Sequence, residues 1–384
     1  MKFKRVGFLI ITSSTILVTL SIIISGFIIS LNISYQYKFI QDSLKDVKSE
    51  KLFSQVMRTE NHYFFQDTGE NWLTLGSVSM YLMELGVNIR TDDIRTFLGS
   101  ELPGLSAYDY EIAVAGEGTD ISTLPLESSP PTDVLLKERD VVEDELQNKG
   151  HEEDSTIKNS PEIQNKTVFI YQTHSWESYL PLLRGAKVPD DAISNDNRVN
   201  VVALGSRLSN KLNQKGIGTE HDQTNMTQEL NKRQWKSTRS YSMSGAIIEA
   251  NANKNGKLEY FIDIHRDSSR KDITTKTLNG KDYAKLFFVV GKGNEKYEKN
   301  LQFVKKLNTE LEKRYPGISR GIFLKPNSMG NGVYNQNISE KAILIEVGGV
   351  DNDFEELDRS IDAFSEVFSY VYWKENEAKE VNGQ

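Results

Sequence analysis

The carboxy-terminal part of the chain alternates short apolar runs with longer helical patterns, and this alternation limits the possible folds more than any other feature. The apolar runs have the length of buried strands. Strands that alternate with helices predict an α/β domain with a mixed, mainly parallel sheet that is flanked by helices. The predicted strands are residues 168–171, 260–264, 286–290 and 342–347, and the predicted helices are residues 199–213, 229–252, 295–315 and 354–370.

A second strong pattern lies at the amino terminus, where residues 8–31 contain no charged side chain and follow Lys2, Lys4 and Arg5. As a helix this stretch would be about 36 Å long, enough to cross a hydrocarbon core of about 30 Å. The positive flank predicts a cytoplasmic amino terminus and an extracytoplasmic remainder. A cleaved signal peptide is the alternative, but residues 30–34 (Ser-Leu-Asn-Ile-Ser) make a poor cleavage site.

Changes in composition predict the domain organisation. The sequence Ser-Ser-Pro-Pro-Thr at 128–132 cannot continue a helix or a central strand, and residues 137–154 are dense in charge, as in a solvated linker. The predicted segments are a cytoplasmic tail (1–7), a single transmembrane anchor (8–31), a stalk (32–70), a small amino-terminal unit (71–117), a charged linker (118–164) and a catalytic domain (165–375).

The composition also excludes several kinds of site. The chain has no cysteine, so disulfides and thiolate metal sites are excluded, and a transition metal would need His, Asp or Glu ligands. A net charge of −8 argues against a nucleic-acid surface. The sequence has neither the spacing of a phosphate-binding loop nor a Gly-x-Ser-x-Gly nucleophile elbow.

Three of the apolar runs end in a titratable side chain. The first run leads to His174, the second to His265, and the last contains Glu346 before two glycines. Ligands of open α/β sheets bind at the carboxyl ends of the strands. We therefore expect these three side chains to meet at one edge of the sheet.

These residue types suit a hydrolytic zinc site, which takes three nitrogen or oxygen ligands and leaves one position open. His174, Glu177 and His265 supply two imidazoles and a carboxylate, and Glu346 is the candidate acid/base that transfers the proton of the attacking water. Arg266 is a candidate for holding a substrate carboxylate, or else forms an ion pair with Asp263 or Asp267.

Other interpretations of these residues remain open. A lone His-x-x-Glu is common, and His265 also fits a hydrogen-bonded residue at the end of a strand. His221 follows a helix and a glycine turn, and it either lines the site or replaces Glu177 as a ligand. His62 and His151 lie in polar segments and are expected at the surface.

Four blocks of sequence together resemble the stage II sporulation protein P family over about residues 165–375. The blocks are Thr173-His-Ser-Trp-Glu-Ser-Tyr179, Asp263-Ile-His-Arg-Asp267, Tyr334-Asn-Gln336 and Leu344-Ile-Glu-Val-Gly-Gly349. On the matching positions the resemblance implies that His174 and His265 bind metal and that Glu346 is the catalytic acid/base. The role of Glu177 as third ligand rests on its spacing from His174. Residues 218–240 depart most from the family pattern, so the resemblance assigns no substrate contact there.

The resemblance also implies a function. Members of this family are expected to be membrane-anchored, zinc-dependent N-acetylmuramoyl-L-alanine amidases with endopeptidase activity. They would act on peptidoglycan at the sporulation septum during engulfment, beside stage II sporulation proteins D and M. Two alternatives remain: a zinc peptidase similar to carboxypeptidases that trims stem peptides, and a membrane-tethered scaffold that binds the cell wall without catalysis.

Overall fold

The computed structural model describes residues 111–125, 130–144, 163–326 and 330–381. The predicted cytoplasmic tail, transmembrane anchor and stalk lie outside these residues, as does most of the predicted amino-terminal unit. Within the described ranges, no helix has both the length and the apolarity that crossing a membrane requires.

The described residues form strands and helices in alternation. The strands are β1 (Glu111–Ala115), β2 (Lys166–Tyr171), β3 (Gly218–His221), β4 (Tyr260–Asp267), β5 (Thr275–Leu278), β6 (Lys281–Ala284), β7 (Leu286–Gly291), β8 (Ser319–Lys325) and β9 (Lys341–Gly349). The helices are α1 (Thr132–Leu135), α2 (Val201–Gln214), α3 (Met226–Lys232), α4 (Ser240–Lys254), α5 (Lys271–Thr274), α6 (Tyr297–Arg314) and α7 (Phe354–Val381), joined by 3-10 turns that include Ser237–Arg239 and Gln336–Ile338.

Seven strands make one sheet in the order β1-β8-β7-β9-β4-β2-β3, and β5 pairs with β6 in a separate hairpin. The block β9-β4-β2-β3 is parallel throughout, β7 and β8 are parallel to each other, and the β7–β9 and β1–β8 pairs are antiparallel. The predicted α/β class and the mixed, mainly parallel sheet are therefore confirmed. The three strands that were expected to carry the site, β9, β4 and β2, are direct neighbours.

The two faces of the sheet are packed differently because successive side chains of a strand point to opposite sides. On one face, Ile262 and Ile264 of β4 join the largest apolar cluster, which α2, α6 and α7 cover. On the other face, Phe261 packs against Ile248 of α4. Asp263 and His265 have the same parity as Phe261, so they project to the α4 face.

All four predicted strands are present as β2, β4, β7 and β9. Three of the predicted helices are present with shifted ends as α2, α6 and α7. The predicted helix at residues 229–252 is wrong in one respect: the structure divides this region into α3 and α4, with a turn between them in which Gln234 has a φ of 55°. A residue in this left-handed conformation ends a helix.

Two segments before residue 165 contact the predicted catalytic domain. Strand β1, from the predicted amino-terminal unit, pairs with β8 and forms an edge of the sheet. In the predicted linker, Leu124 packs with Phe287 and Phe323, and Leu135 packs in a cluster with Trp176. These segments add to the fold of residues 165–375, and the remaining domain limits stay predictions.

Candidate metal centre

His174 and Glu177 come together through a tight turn after β2. The Glu177 N–H donates to the His174 carbonyl at 3.0 Å, which closes the turn. The side chains of the two residues also meet, with Oε1 of Glu177 3.0 Å from Nδ1 of His174. The spacing of three residues therefore places the carboxylate directly beside the imidazole.

His265 reaches the same carboxylate from β4. Its Nδ1 lies 3.4 Å from Oε2 of Glu177, so the carboxylate lies between the Nδ1 atoms of two imidazoles. One potential ligand atom from each of the three residues lies within 4.8 Å of the other two. The histidine side chains are almost wholly buried, and Glu177 exposes 12% of its side chain. The structure thus brings together the three residues predicted from the sequence to bind metal.

The other nitrogen of each imidazole also has a partner. Nε2 of His265 lies 3.1 Å from Oδ1 of Asp263, and Nε2 of His174 lies 3.1 Å from the Ser240 hydroxyl. An Nε2–H of His174 that donates to Ser240 leaves the lone pair on Nδ1, as a metal ligand requires. The contact between His265 and Asp263 is a short charge contact without the geometry of a hydrogen bond. These partners orient both rings with Nδ1 towards Glu177.

Asp263 links the two halves of the centre. It accepts hydrogen bonds from the N–H of Thr173 at 2.9 Å and from the Thr173 hydroxyl at 2.7 Å, one residue before His174. The Thr173 hydroxyl also bonds Ser244 of α4, whose hydroxyl accepts a bond from Asn335. This buried network ties β2, β4, α4 and the Tyr334-Asn-Gln336 block into one framework.

The electrostatics of the cluster are those of an ion pair. Burial alone would raise the pKa of Glu177, but His265 and His174 hold that pKa well below its usual range. Burial would lower the pKa of His265, but the carboxylates of Asp263 and Glu177 raise it well above its usual value. Because an imidazole must be deprotonated at the nitrogen that binds a metal, metal loading would release a proton here.

Aromatic rings enclose the two imidazoles. Trp176 stacks on His174 with ring centroids 4.9 Å apart. Tyr241, the second residue of α4, lies 5.4 Å from the His174 ring and 6.3 Å from the His265 ring. Rings of this size exclude water and lower the local dielectric constant, which strengthens the interactions between charges in the cluster.

Glu346 lies beside His265 on the neighbouring strand. The two residues are register partners in the parallel β4–β9 pair, and adjacent strands lie about 4.8 Å apart. Register partners project to the same face of a sheet, so Glu346 shares the α4 face with both histidines. It is half-buried, and it is a separate carboxylate from the one between the imidazoles.

Arg266 has a different set of contacts from those expected. Its N–H donates to Oε2 of Glu177 at 2.9 Å, which helps to hold the carboxylate in place. Its guanidinium donates to the carbonyls of Asp267 and Ala192. The side-chain carboxylate of Asp267 instead pairs with the buried Arg320. The guanidinium of Arg266 therefore stabilises the backbone at Asp267 and Ala192 beside the site.

His221 lies outside the cluster. Its Nε2 is 3.2 Å from the Gln172 amide nitrogen, and its Nδ1 is 3.5 Å from the Ser206 hydroxyl. The cluster of possible metal ligands found among the described residues contains Glu177 and not His221. His62 and His151 lie outside the described residues.

The half-buried His221 is expected to make folding sensitive to acid. Burial lowers its pKa to about 4, whereas an unfolded histidine titrates near about 6.5. As pH falls from about 6.5 towards about 4, only the unfolded chain gains this proton, so the free energy of unfolding decreases. Replacing His221 by Gln should remove on the order of 2 kcal/mol of the stability difference between about pH 7 and about pH 5. Urea unfolding at both pH values measures this difference, and an equal pH dependence in the two proteins would contradict it.

The donor set fits a transition metal. Two imidazoles and one carboxylate are the ligands of many catalytic zinc sites, whereas calcium and magnesium prefer oxygen ligands alone. The Nε2 atoms of both histidines have outer contacts of the kind that orient ligands in such sites, a hydrogen bond with Ser240 for His174 and a charge contact with Asp263 for His265. The group of His174, Glu177 and His265 could therefore hold a metal ion.

Several residues of the site were not predicted from the sequence. Asp263 lies two residues before His265 on one strand, so the period of two could have placed it on the same face. Ser240 and Tyr241 arrive from α4, far from either histidine in the chain. No local pattern in the sequence reveals such a contact.

Fold and site together define a mixed α/β protein with a buried imidazole–carboxylate centre, suited to a metal ion, at the carboxyl edge of its parallel strands. A family model described as stage II sporulation protein P matches residues 92–369. Stage II sporulation protein P of Bacillus subtilis (strain 168) is 39% identical over 336 residues, which cover 87% of this chain and 83% of that protein. The chain belongs to the stage II sporulation protein P family.

Proposed function

We propose that the chain is a zinc-dependent peptidoglycan hydrolase that cleaves the amide bond between N-acetylmuramic acid and L-alanine during sporulation. The observation that carries this proposal is the convergence of His174, Glu177 and His265 beside Glu346 on one face of the sheet. Membership of a sporulation family supports the biological setting. A zinc amidase-like fold for residues 165–375 is part of the same proposal.

The three clustered residues would hold the zinc ion, and the remaining groups would act on the substrate. When bound, zinc supplies a Lewis acid that polarises an amide carbonyl and makes a water molecule more acidic. Glu346 accepts the proton of the attacking water and delivers it to the leaving nitrogen. Asp263 and Ser240 keep the imidazoles oriented, and Trp176 and Tyr241 keep bulk water from the histidine rings.

The setting of the enzyme completes the proposal. A single transmembrane anchor at residues 8–31 would hold the catalytic domain outside the cell membrane, at the septum where engulfment begins. Stage II sporulation proteins D and M are the proposed partners, and peptidoglycan is the proposed substrate. Nucleic acid is not expected to bind, given the net charge of −8.

Analysis of the products tests the reaction directly. The purified full-length chain would be incubated with intact sacculi, and the soluble products identified by mass spectrometry. Amidase action releases complete stem peptides with a free L-alanine amino terminus and leaves bare glycan strands. Shortened peptides still attached to sugar would instead show a stem-peptide peptidase. No soluble product from a zinc-loaded protein would favour a non-catalytic scaffold.

The role of Asp263 gives a prediction about metal affinity. Asp263→Asn removes the negative charge beside Nε2 of His265 and weakens the bonds that Thr173 donates. Loss of such an outer partner is expected to weaken zinc binding by roughly 10- to 100-fold. Competition with a chromophoric chelator measures the zinc dissociation constant, and a melting curve shows that the variant is folded.

Asp222→Asn is the matched control for Asp263→Asn. Asp222 follows the end of the parallel strand β3, and its carboxylate accepts a hydrogen bond from the Thr224 hydroxyl. Its removal should leave the zinc dissociation constant within about twofold of the wild-type value, since this carboxylate has no contact with the cluster. An unchanged zinc affinity in a folded Asp263→Asn variant would show that Asp263 does not support the centre.

A further inference from the structure

The loop between α3 and α4 concentrates positive charge in an acidic protein. Residues 230–248 contain Lys232, Arg233, Lys236 and Arg239 and no Asp or Glu, while the whole chain carries a net charge of −8. Lys232 is paired with Glu229. Among the described residues, Arg233 and Arg239 have no ion pair with a carboxylate, and both side chains are exposed.

The geometry of this loop is fixed by the end of α3. The N–H of Trp235 donates to the Leu230 carbonyl at 2.9 Å, and the N–H of Gln234 donates to the Asn231 carbonyl at 2.9 Å. These two bonds form a Schellman motif, which requires the left-handed conformation seen at Gln234. The motif turns Trp235 back onto the apolar cluster that contains Leu230 and Trp176.

Trp235 holds two guanidinium groups. The Cζ atom of Arg239 lies 4.2 Å from the centroid of the Trp235 ring, and that of Arg233 lies 5.4 Å from it. Cation–π contact restrains both side chains and leaves their N–H groups available. Two like charges held on one ring repel each other, so an anion between them would be bound favourably.

Residues that adjoin this pair of arginines contact the candidate metal centre. Arg239 directly precedes Ser240, whose hydroxyl is 3.1 Å from Nε2 of His174. The next residue, Tyr241, contacts both imidazole rings. On the other side, Trp176 stacks on His174 and shares the apolar cluster against which Trp235 packs.

We propose that Arg239 and Arg233 form a carboxylate-binding subsite that positions an acidic peptide beside the metal centre. A planar guanidinium matches a carboxylate with two parallel hydrogen bonds. The inference rests on the proposed function, since stem peptides of peptidoglycan carry free carboxylates. It also replaces Arg266 in this role, because the guanidinium of Arg266 already donates to two backbone carbonyls.

The test compares two synthetic muramoyl peptides of the same length, one with free carboxylates beyond the scissile bond and one with those groups as carboxamides. The full-length wild-type chain is expected to prefer the acidic peptide. In Arg239→Gln the ratio of kcat/KM for the acidic peptide to kcat/KM for the amidated peptide should fall by roughly 10-fold, because a hydrogen bond to a charged group contributes a factor of this size. The change should appear as a higher KM for the acidic peptide. Arg239→Lys should retain part of the preference.

A matched variant and a binding measurement complete the test. Lys254→Gln removes one positive charge at the last residue of α4, about 21 Å from the start of that helix. This variant should keep the wild-type preference for the acidic peptide. Calorimetric titration of the uncleaved acidic peptide into Glu346→Gln, with and without Arg239→Gln, reads the subsite without hydrolysis. An unchanged preference ratio, or equal affinity in that titration, would overturn the subsite. If the wild type cleaves neither peptide, the proposed function fails, and the titration still decides the subsite.

Discussion

The His265→Ala variant is expected to lose both bound zinc and the release of stem peptides from sacculi. The substitution removes one of the two imidazoles of the centre. It leaves Asp263 without its imidazole partner and Glu177 with His174 alone. Since changes in outer hydrogen bonds alone cost 10- to 100-fold in metal affinity, loss of a ligand should weaken zinc binding by more than about 100-fold. Zinc titration and peptide release would be measured on the same preparation.

His221→Ala is the matched control for this variant. It removes a half-buried histidine at the end of a parallel strand, but His221 contacts Gln172 and Ser206 rather than the cluster. It should bind zinc like the wild type. Because His265→Ala leaves two buried carboxylates facing a cavity, His265→Gln is a second variant that keeps a hydrogen-bonding side chain. Full zinc binding by both His265 variants would exclude His265 as a ligand.

The Glu346→Gln variant should separate catalysis from metal binding. The amide has nearly the same shape as the carboxylate, but it cannot accept the proton of the attacking water. General acid–base catalysis contributes about 10²- to 10⁴-fold, so the rate of stem-peptide release should fall by that factor. Zinc content should stay at the wild-type level, because Glu346 is not one of the three clustered residues.

Glu340→Gln is the control for the Glu346 variant. Glu340 precedes β9, and its exposed carboxylate pairs with Lys299 at the surface. This substitution should leave the rate of release unchanged. If Glu346→Gln kept the wild-type rate with a normal zinc content, the proton transfer would have to involve another group.

Much of the sheet could be predicted because its central strands are continuous apolar runs. Strands buried on both faces, such as β2, β4, β7 and β9, leave this signal in the sequence. Strand β3 gives only a weak signal because it has four residues, two of them Glu and His. Strand β1 was missed because its pairing with β8 joins segments about 200 residues apart, which no local pattern records.

The site was predictable as far as it depends on strand ends and on local spacing. The rule that ligands bind at the carboxyl edge of a parallel sheet predicts His174, His265 and Glu346. The spacing of three residues from His174 predicts Glu177. The period of two also argues that Arg266 points away from the face that carries His265. The contacts from α4 and the arginine pair on Trp235 depend on tertiary packing, so the sequence alone could not provide them.

The division between α3 and α4 shows the same limit. A glycine such as Gly216, which has a φ of 79°, marks the end of α2 in the sequence. At the end of α3 the same left-handed position is occupied by Gln234. Glutamine is a good helix former, so the sequence gives no sign that the helix ends there. Because of this turn, a new helix begins at Ser240, directly after Arg239, at the edge of the metal centre.

The most direct test is the metal content of the purified full-length chain, measured by mass spectrometry together with the release of stem peptides before and after chelation. We expect about one zinc ion per chain, as in catalytic zinc sites with three protein ligands. Removing it should stop the release of stem peptides, and adding zinc back should restore the release. A chain without metal that releases stem peptides at the undiminished rate would contradict a zinc centre at His174, Glu177 and His265.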